Sequence, residues 1–254
     1  MDIDTDGLVE VVDEARREEG LGHLRQRNFQ VLAADLVGRK PAGPSGRPTM
    51  LDVGCAHGWF MESVQHHFQT TGIEPDARIA ALAVGKGLAV RKGFFPDVLA
   101  ADERFDVIVF NDVLEHIPDI DAALRACVRH LRHDGVVVVN APARTGVLYQ
   151  TSRWLARLGL PASFDRMWQE GFPSPHVHYL DDASMAAIGA NAGLNIAAVR
   201  TLPSMTARGL YARIRTDRTV SAPKALAVSA VLTVASPLVS VMPADIKVWL
   251  LQAS

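Results

Sequence analysis

The sequence predicts an α/β fold built on a doubly wound, mostly parallel β-sheet. Short apolar runs alternate with helical patterns along most of the 254-residue chain, which is the order that parallel strands with crossover helices produce. Two runs, Asp106 to Phe110 and Val136 to Asn140, are continuous and rich in β-branched residues, as strands buried on both faces should be. The length is ample for a single large domain with a full core.

Local patterns predict the other elements in order. Five further strands are short apolar runs, at Thr49 to Val53, Thr70 to Glu74, Leu88 to Lys92, Ile196 to Thr201 and Ile246 to Leu251. Four helices are predicted, from Trp59, from Asp76, from Ile120 with Gly135 as its C-terminal cap, and from the capping residue Asp181 to Gly193. The helix from Ile120 places its apolar residues on one stripe at helical spacing.

Three regions fall outside this alternation. The pattern of residues 1–47 predicts a helical N-terminal cap, from Leu8 to Leu36, followed by a Gly- and Pro-rich linker. The main domain is predicted at 48–254. The first late insertion, 143–180, is rich in aromatic residues: Tyr149, Trp154, Phe164, Trp168 and Phe172. These fit either a lid that lines an apolar pocket or a satellite core.

The second insertion, 205–243, contains the uncharged stretch Ala225 to Ala244. We predict a helix packed on its own fold or on a second subunit, which leaves a homodimer open. A membrane span would separate the strand that follows from its sheet. Contact with a lipid surface is the less favoured alternative.

Composition excludes several classes of protein. The formal net charge is −2, so there is no basic field for a polyanion and a nucleic-acid partner is not expected. Cys55 and Cys127 are the only cysteines, which argues against a disulfide framework. The acidic start, Met1 to Asp6, does not resemble a secretory signal. We therefore expect a cytoplasmic location.

The strongest chemical signal is the passage Leu51 to Gly58 (LDVGCAHG) between the first strand and its helix. Gly54 permits a sharp turn and a close ligand approach, and the helix start offers free N–H groups. Ligands of open α/β sheets bind beyond the carboxyl ends of strands, which is where this loop lies.

Glu74 closes the second strand, where a carboxylate can accept both hydroxyls of a ribose. This feature serves NAD and S-adenosylmethionine equally well. The loop spacing, Asp52-x-Gly54-x-Ala56-x-Gly58, departs from the dinucleotide fingerprint G-x-G-x-x-G.

That spacing, with an acidic residue closing the next strand, resembles the cofactor loop of class I S-adenosylmethionine-dependent methyltransferases. Phe105 to Asp119 (FDVIVFNDVLEHIPD) resembles the fourth-strand signature of that family. Leu131 to Val136 (LRHDGV) resembles its segment before the fifth strand, with His133-Asp134 in place of the usual Pro-Gly. Ser174 to Gly193 looks like the late segment of the branch that includes the ubiquinone-biosynthesis O-methyltransferases.

The resemblance implies a Rossmann-like sheet of seven strands, with the last strand antiparallel in an edge hairpin. The helical N-terminal region and both insertions would cover the acceptor site. S-adenosylmethionine would be the cofactor, with S-adenosylhomocysteine as its product. The residues implied to contact it are Asp52, Gly54, Ala56 and Gly58 at the methionine part, Glu74 at the ribose, Pro75, Phe94 and Phe95 at the adenine, and Asn111 and Asp112 at the methionine end.

The expected function is methyl transfer to oxygen of a small, fairly apolar molecule. The alternatives are an NAD-dependent oxidoreductase and a non-catalytic cofactor-binding protein of the same fold. An oxygen acceptor needs a base, and His116 is the first candidate, followed by His176 and His178. No metal is assigned. Asp112, Glu115 and His116 do resemble an acidic-plus-His cluster that would suit Mg²⁺, against a capping role for Glu115 and His116 in the turn.

Overall fold

The computed structural model describes residues 14–40, 46–169, 174–204, 209–215, 220–240 and 242–253. Its strands are β1 (Thr49–Val53), β2 (Gln69–Glu74), β3 (Val90–Lys92), β4 (Phe105–Asn111), β5 (Leu131–Pro142), β6 (Leu194–Leu202) and β7 (Ile246–Ala253). Its helices are α1 (Glu14–Arg39), α2 (Trp59–Val64), α3 (Ala77–Gly85), α4 (Ile120–His130), α5 (Val147–Arg157), α6 (Ala162–Met167), α7 (Asp182–Asn191), α8 (Leu210–Arg215) and α9 (Ala222–Ser240). The predicted positions of Phe172, of residues 8–13 and of part of the linker lie outside the described residues.

The strands form one seven-stranded sheet in the order β3-β2-β1-β4-β5-β7-β6. The first five strands are parallel, and β7 runs antiparallel to both β5 and β6. This confirms the predicted mixed sheet and its antiparallel edge hairpin. Strand β7 is the inner strand of that hairpin, since it pairs with both β5 and β6, and β6 forms the outer edge. Val248 to Leu251 of β7 are accordingly buried.

Side chains that alternate along the strands build two separate cores. Leu51, Ile108 and Val137 belong to one core, and their chain neighbours Met50 and Val107 belong to the other. Successive strand residues point to opposite faces, so the two cores lie on the two sides of the sheet. Helices α4 and α7 contribute to the first core and α1 to the second, which is the doubly wound arrangement.

One predicted helix end is wrong. Helix α4 ends at His130, and the predicted cap Gly135 lies inside β5, where it is buried. A Cβ at Gly135 would lie 2.4 Å from the Leu131 Cγ, so close packing within the strand accounts for the glycine. The predicted cap Asp181 is confirmed, since its side chain accepts the Ser184 N–H at 2.9 Å in a capping box.

The uncharged stretch forms helix α9, as predicted. Ala225 and Ser229 are buried on its inner side, while Leu226, Val231 and Val234 are exposed. Over residues 222–234, where the structure describes its side chains, the helix therefore packs on its own fold along one side. Among the described residues, no helix combines the length and the apolar character that a membrane crossing requires.

Candidate functional site

The loop after β1 turns sharply because three of its residues adopt left-handed backbone angles. Gly54, Ala56 and Gly58 have φ values of 67°, 46° and 75°. A Cβ at Gly54 would lie 2.6 Å from the Val113 Cγ2, and one at Gly58 would lie 2.2 Å from the Leu88 Cδ1. The predicted glycines are thus required both by the backbone and by the packing around the loop.

Glu74 joins this loop to the end of β2. Its Oε2 accepts the Ala56 N–H at 3.0 Å, and its Oε1 accepts the Asp76 N–H at 2.9 Å. Burial raises the pKa of Glu74, while these two bonds work in the opposite direction. Each carboxylate oxygen has a second lone pair, so the group can still accept hydrogen bonds from a ligand diol.

Asp52 is buried beneath the loop, and its Oδ1 has no hydrogen-bond partner among the described residues. Burial raises its pKa to about 8, the neighbouring Asn111 amide opposes the rise, and the Glu74 charge adds to it. A buried polar atom without a partner indicates a missing one, and a cationic ligand group would favour the ionised carboxylate. This fits the ammonium of a methionine moiety.

Asp52 and the loop after β1 line a cavity of about 120 Å³, called here the loop cavity, whereas Glu74 and Gly58 are not among its lining residues. Its lining contains Asp52, Gly54, Ala56, Asn111 and Asp112, which are five of the predicted cofactor residues. The structure therefore brings together five of the six residues predicted for the methionine part of the cofactor. Their role in binding stays a prediction.

The residues predicted for the adenine have other surroundings. Phe95 packs edge-on against Phe110 at a centroid distance of 5.6 Å, and Phe94 is exposed. Pro75 is half-buried next to Glu74. None of these three is among the residues that line the loop cavity, and their contact with adenine also stays a prediction.

A second cavity of about 310 Å³ adjoins the first and is called here the acceptor cavity. Both are lined by Arg25, Phe29 and Asp112, so they meet at these side chains. The Arg25 Nη2 lies 4.0 Å from the Asp112 Oδ2. Much of the remaining wall is apolar or aromatic: Leu24, Leu148, Tyr149, Met167, Tyr179 and Ile246.

Sequence reasoning missed Arg25 and Phe29. Both lie on α1, together with Asn28, whose Nδ2 donates to the Pro203 carbonyl at 2.9 Å. The available signal was their spacing of three and four residues, which places them on one helix face. The spacing shows that these side chains share one face of α1, but it does not indicate which part of the fold that face covers.

The three candidate bases have different surroundings. His116 lines the acceptor cavity, and its Nδ1 donates to the Pro175 carbonyl at 2.9 Å, so the neutral ring keeps its lone pair on Nε2. His178 is not among the lining residues of that cavity. Its Nε2 donates to the Ile117 carbonyl at 3.1 Å and thereby holds the turn after β4.

His176 also lines the cavity, but both of its nitrogens are engaged. Its Nε2 accepts from the Gln169 amide at 3.0 Å, and its Nδ1 donates to the Tyr179 hydroxyl oxygen at 2.9 Å. The Tyr179 hydroxyl in turn donates to the Met167 carbonyl at 2.8 Å. Burial, with a smaller contribution from His116, lowers the pKa of His176 to about 4, so this ring is neutral near pH 7.

Glu115 is fully buried, and neither carboxylate oxygen has a hydrogen-bond partner among the described residues. Burial and then the Asp112 charge raise its pKa well above the ordinary value. The predicted capping role is wrong for this side chain, because only its backbone carbonyl holds the neighbouring segment, through the Val177 and His178 N–H groups. Ligand atoms of Glu115, His116 and His176 lie within 4.8 Å of one another, so the cluster with metal-site spacing among the described residues contains His176 in place of the predicted Asp112.

Comparison with known proteins gives the family. The sequence model described as a methyltransferase domain matches residues 14–199. The ubiquinone biosynthesis O-methyltransferase of Alkalilimnicola ehrlichii is 32% identical over 126 residues, which are 46% of this chain and 51% of the relative. The enzyme of the same name from Pseudomonas paraeruginosa is 35% identical over 118 residues, 42% of this chain and 50% of the relative. The chain thus spans about half the length of these curated relatives.

Solved structures share the fold at low sequence identity. The magnesium protoporphyrin IX methyltransferase of Synechocystis PCC 6803, solved with bound SAH, has a TM-score of 0.60 and 12% identity over 93% of this chain and 87% of that chain. The cyclopropane synthase MmaA2 of Mycobacterium tuberculosis has a TM-score of 0.61 and 18% identity over 88% and 83%. The predicted Rossmann-like methyltransferase fold is confirmed, and the family match disfavours the oxidoreductase alternative.

The first prediction concerns the carboxylate of Glu74. Glu74→Ala should weaken S-adenosylhomocysteine binding by roughly 1–3 kcal/mol, because charge-assisted hydrogen bonds to the ligand are lost. Titration calorimetry measures the change. The exposed Asp102→Ala variant is the matched control and should bind like the wild type. Equal affinities for Glu74→Ala and wild type would contradict the prediction.

The second prediction concerns pH. A folded-state pKa of about 8 for Asp52, against an ordinary 3.8, means that its contribution to stability is present below about pH 4 and is lost as the pH rises through 8. Between about pH 4 and pH 8 the free energy of unfolding of the ligand-free wild type should therefore fall with pH, by at most about 1.4 kcal/mol per pH unit on account of Asp52. Asp52→Asn should remove this fall, which urea unfolding at a series of pH values measures. Parallel pH profiles for the variant and the wild type would show that Asp52 is not the group responsible.

Proposed function

This chain belongs to the methyltransferase-domain family, with the fold of its class I S-adenosylmethionine-dependent members, and from that premise we propose that it moves a methyl group from S-adenosylmethionine to an oxygen atom of a small, fairly apolar acceptor. The observation that carries the proposal is the junction of two cavities at Arg25, Phe29 and Asp112. One cavity has the polar groups that a cofactor needs, and the other combines an apolar and aromatic part with two histidines, His116 and His176.

On the cofactor side, Glu74 and the loop cavity would bind different parts of S-adenosylmethionine. Glu74 would hold the ribose hydroxyls, and Asp52 would pair with the methionine ammonium. Bound S-adenosylmethionine supplies an electrophilic methyl group on a sulfonium. The protein's task is then to align the acceptor with that methyl group and to exclude water. Helix α1 would contribute to the exclusion of water through Arg25 and Phe29, which line both cavities.

On the acceptor side, His116 has the properties that a base needs. Its Nδ1 is fixed by the Pro175 carbonyl, so in the neutral ring Nε2 can take the proton of an acceptor hydroxyl. The oxygen that loses this proton becomes the nucleophile. His176 is a weaker candidate, because taking up a proton requires breaking its bond from Gln169. His178 is weaker still, since its Nε2 is bound to backbone carbonyls outside the cavity lining.

The relatives support an oxygen acceptor, because they are named ubiquinone biosynthesis O-methyltransferases. The aromatic cluster of the first insertion supports an apolar one. Tyr149 packs against Tyr179 at a centroid distance of 4.8 Å, and both line the acceptor cavity. This insertion would therefore act as the predicted lid. The alternative, a cofactor-binding protein without turnover, predicts binding of S-adenosylhomocysteine with no methylated product from any acceptor.

The third prediction tests the proposed base. With alkyl-substituted phenols and catechols as probe acceptors and radiolabelled S-adenosylmethionine, the wild type should form a labelled product. His116→Ala should lower turnover on the order of a hundredfold, because general-base catalysis is lost. Binding of S-adenosylhomocysteine should persist.

The controls are chosen by exposure. His133→Ala removes a histidine that lies fully exposed and away from both cavities, and it should leave turnover unchanged. Near-normal turnover by His116→Ala would exclude His116 as the base. A complete absence of product with every probe, despite cofactor binding, would favour the non-catalytic alternative.

A further inference from the structure

Three buried side chains that line the acceptor cavity have oxygen atoms without a hydrogen-bond partner among the described residues. They are Asn28 on α1, Glu115 after β4 and Asn140 in β5, which are 5%, 1% and 4% exposed. The atoms are the Asn28 Oδ1, the Asn140 Oδ1 and both carboxylate oxygens of Glu115. Buried polar groups are ordinarily paired, so four unpaired oxygens around one cavity indicate a ligand that supplies their partners.

The unpaired atoms of this cavity are hydrogen-bond acceptors. The Asn28 Nδ2 donates to the Pro203 carbonyl at 2.9 Å, and a carbonyl can only accept, so Oδ1 is the atom left over. The Asn140 Nδ2 donates to the Asn111 Oδ1 at 3.4 Å. The unpaired Asn111 Nδ2 belongs to a residue of the loop cavity. Over the part of the chain that the structure describes, no fully buried side-chain donor of the acceptor cavity lacks a partner.

Backbone pairing places two of these residues at the same edge of the sheet. The Asn140 carbonyl accepts the Asp112 N–H at 2.8 Å, so the end of β5 is tied to the turn that carries Glu115. Ligand atoms of Glu115, His116 and His176 lie within 4.8 Å of one another. The Glu115 carboxylate therefore lies beside the proposed base.

The charges around the cavity favour a cationic ligand. Its described lining has three acidic side chains, Asp112, Glu115 and Asp245, and Arg25 as its one arginine or lysine. The Arg25 Nη2 lies 4.0 Å from the Asp112 Oδ2. The Asp245 oxygens already accept the Leu148 N–H at 2.7 Å and the Ser204 hydroxyl at 2.9 Å. Of the three acids, Glu115 is thus the one whose oxygens still need donors.

We propose that the acceptor carries, besides the oxygen that is methylated, a protonated amine that binds at Glu115, Asn28 and Asn140, called here the amine subsite. This inference rests on the proposed function, because it describes the molecule that is methylated in this cavity. An ammonium has three N–H donors and no acceptor, so it matches a set of unpaired oxygens. A hydroxyl donates one hydrogen bond and brings lone pairs of its own.

The positive charge has a second effect on this subsite. Burial and the Asp112 charge raise the pKa of Glu115, and a nearby ammonium opposes that rise because it favours the ionised carboxylate. A carboxylate on the acceptor would have the reverse effect, since it would add a like charge beside unpaired oxygens. A site built for hydrogen-bond donors also rejects a ligand without them, because its own buried groups then stay unpaired.

The remaining wall of the cavity fits the rest of such a molecule. Tyr149 and Tyr179 pack against each other at a centroid distance of 4.8 Å, and both line the cavity together with Leu148 and Met167. Aromatic and apolar side chains of this kind bind a ring. The class of acceptor is therefore an aromatic alcohol that carries an amine.

Three phenols that differ at the end of one side chain test the proposal. Tyramine ends in an ammonium, tyrosol in a hydroxyl and 3-(4-hydroxyphenyl)propionate in a carboxylate. Calorimetric titration of the full chain loaded with S-adenosylhomocysteine, in the presence of EDTA, measures their binding without turnover. Tyramine should bind at least about tenfold more tightly than tyrosol, because its hydrogen bonds to Glu115 are charge-assisted, and the carboxylate should bind most weakly. Equal affinities for tyramine and tyrosol, or no binding of any of the three, would overturn the proposal.

Glu115→Gln keeps the shape of the side chain and removes its charge. It should reduce the preference for tyramine over tyrosol about tenfold while tyrosol binding changes little. The matched control is Asp102→Asn, an exposed acid that does not line the cavity, and this variant should keep the preference. Retained S-adenosylhomocysteine binding shows that both variants are folded. A preference that survives Glu115→Gln would contradict the amine subsite. So would Mg²⁺ that, without EDTA, strengthens the binding of all three phenols equally and only when Glu115 is present.

Turnover with radiolabelled S-adenosylmethionine separates this inference from the proposed function. A Glu115-dependent preference for tyramine without any O-methylated product would support the amine subsite and contradict the proposed reaction. O-methylation of tyramine and tyrosol with equal kcat/KM would support the reaction and overturn the subsite. O-methylation of tyramine with a kcat/KM at least about tenfold higher is the result expected if both hold.

Discussion

The two hydrogen bonds of Glu74 are the interaction on which the rest of the site depends. By accepting the Ala56 and Asp76 N–H groups, this carboxylate fixes the loop after β1 to the start of α3. Gly54 and Gly58 let the same loop pack closely against Val113 after β4 and Leu88 before β3, because a Cβ at either glycine would collide with these side chains. The carboxylate and the glycines therefore together fix the shape of the loop, whose residues Gly54 to His57 line the loop cavity.

The strand order explains why this space is a binding site. Strand β1 has β2 on one side and β4 on the other, so the chain leaves the sheet in opposite directions from neighbouring strands. A crevice opens at the carboxyl ends of strands where the order reverses in this way. Asp52 near the end of β1, Glu74 at the end of β2 and Asn111 at the end of β4 converge there. Because the crevice results from topology, its residues follow strand ends that can be recognised in the sequence.

Residues that follow strand ends could be predicted from the sequence, whereas residues that reach the site through distant contacts could not. Asp52, Gly54 and Glu74 occupy fixed positions relative to apolar runs, so local patterns were enough to find them. Arg25 and Gln169 contribute through contacts with residues far away in the chain, and no local pattern encodes such contacts. Gly135 misled for a related reason: a glycine after an amphipathic stripe is typical of a helix end, but here its role is to let Leu131 pack closely within β5.

The junction of the cavities also has an electrostatic consequence for the proposed reaction. Asp112 and Arg25 lie at the junction, Asp52 lines the loop cavity and Glu115 the acceptor cavity, and burial makes ionisation of Asp52 and Glu115 costly. A positively charged ligand lowers that cost by favouring the ionised carboxylates, whereas a neutral ligand of the same shape does not. S-adenosylmethionine carries a sulfonium charge that S-adenosylhomocysteine lacks. On the proposed function, the same buried acids that attract the cofactor would hold its product less tightly, so methyl transfer itself would weaken the binding of what must leave.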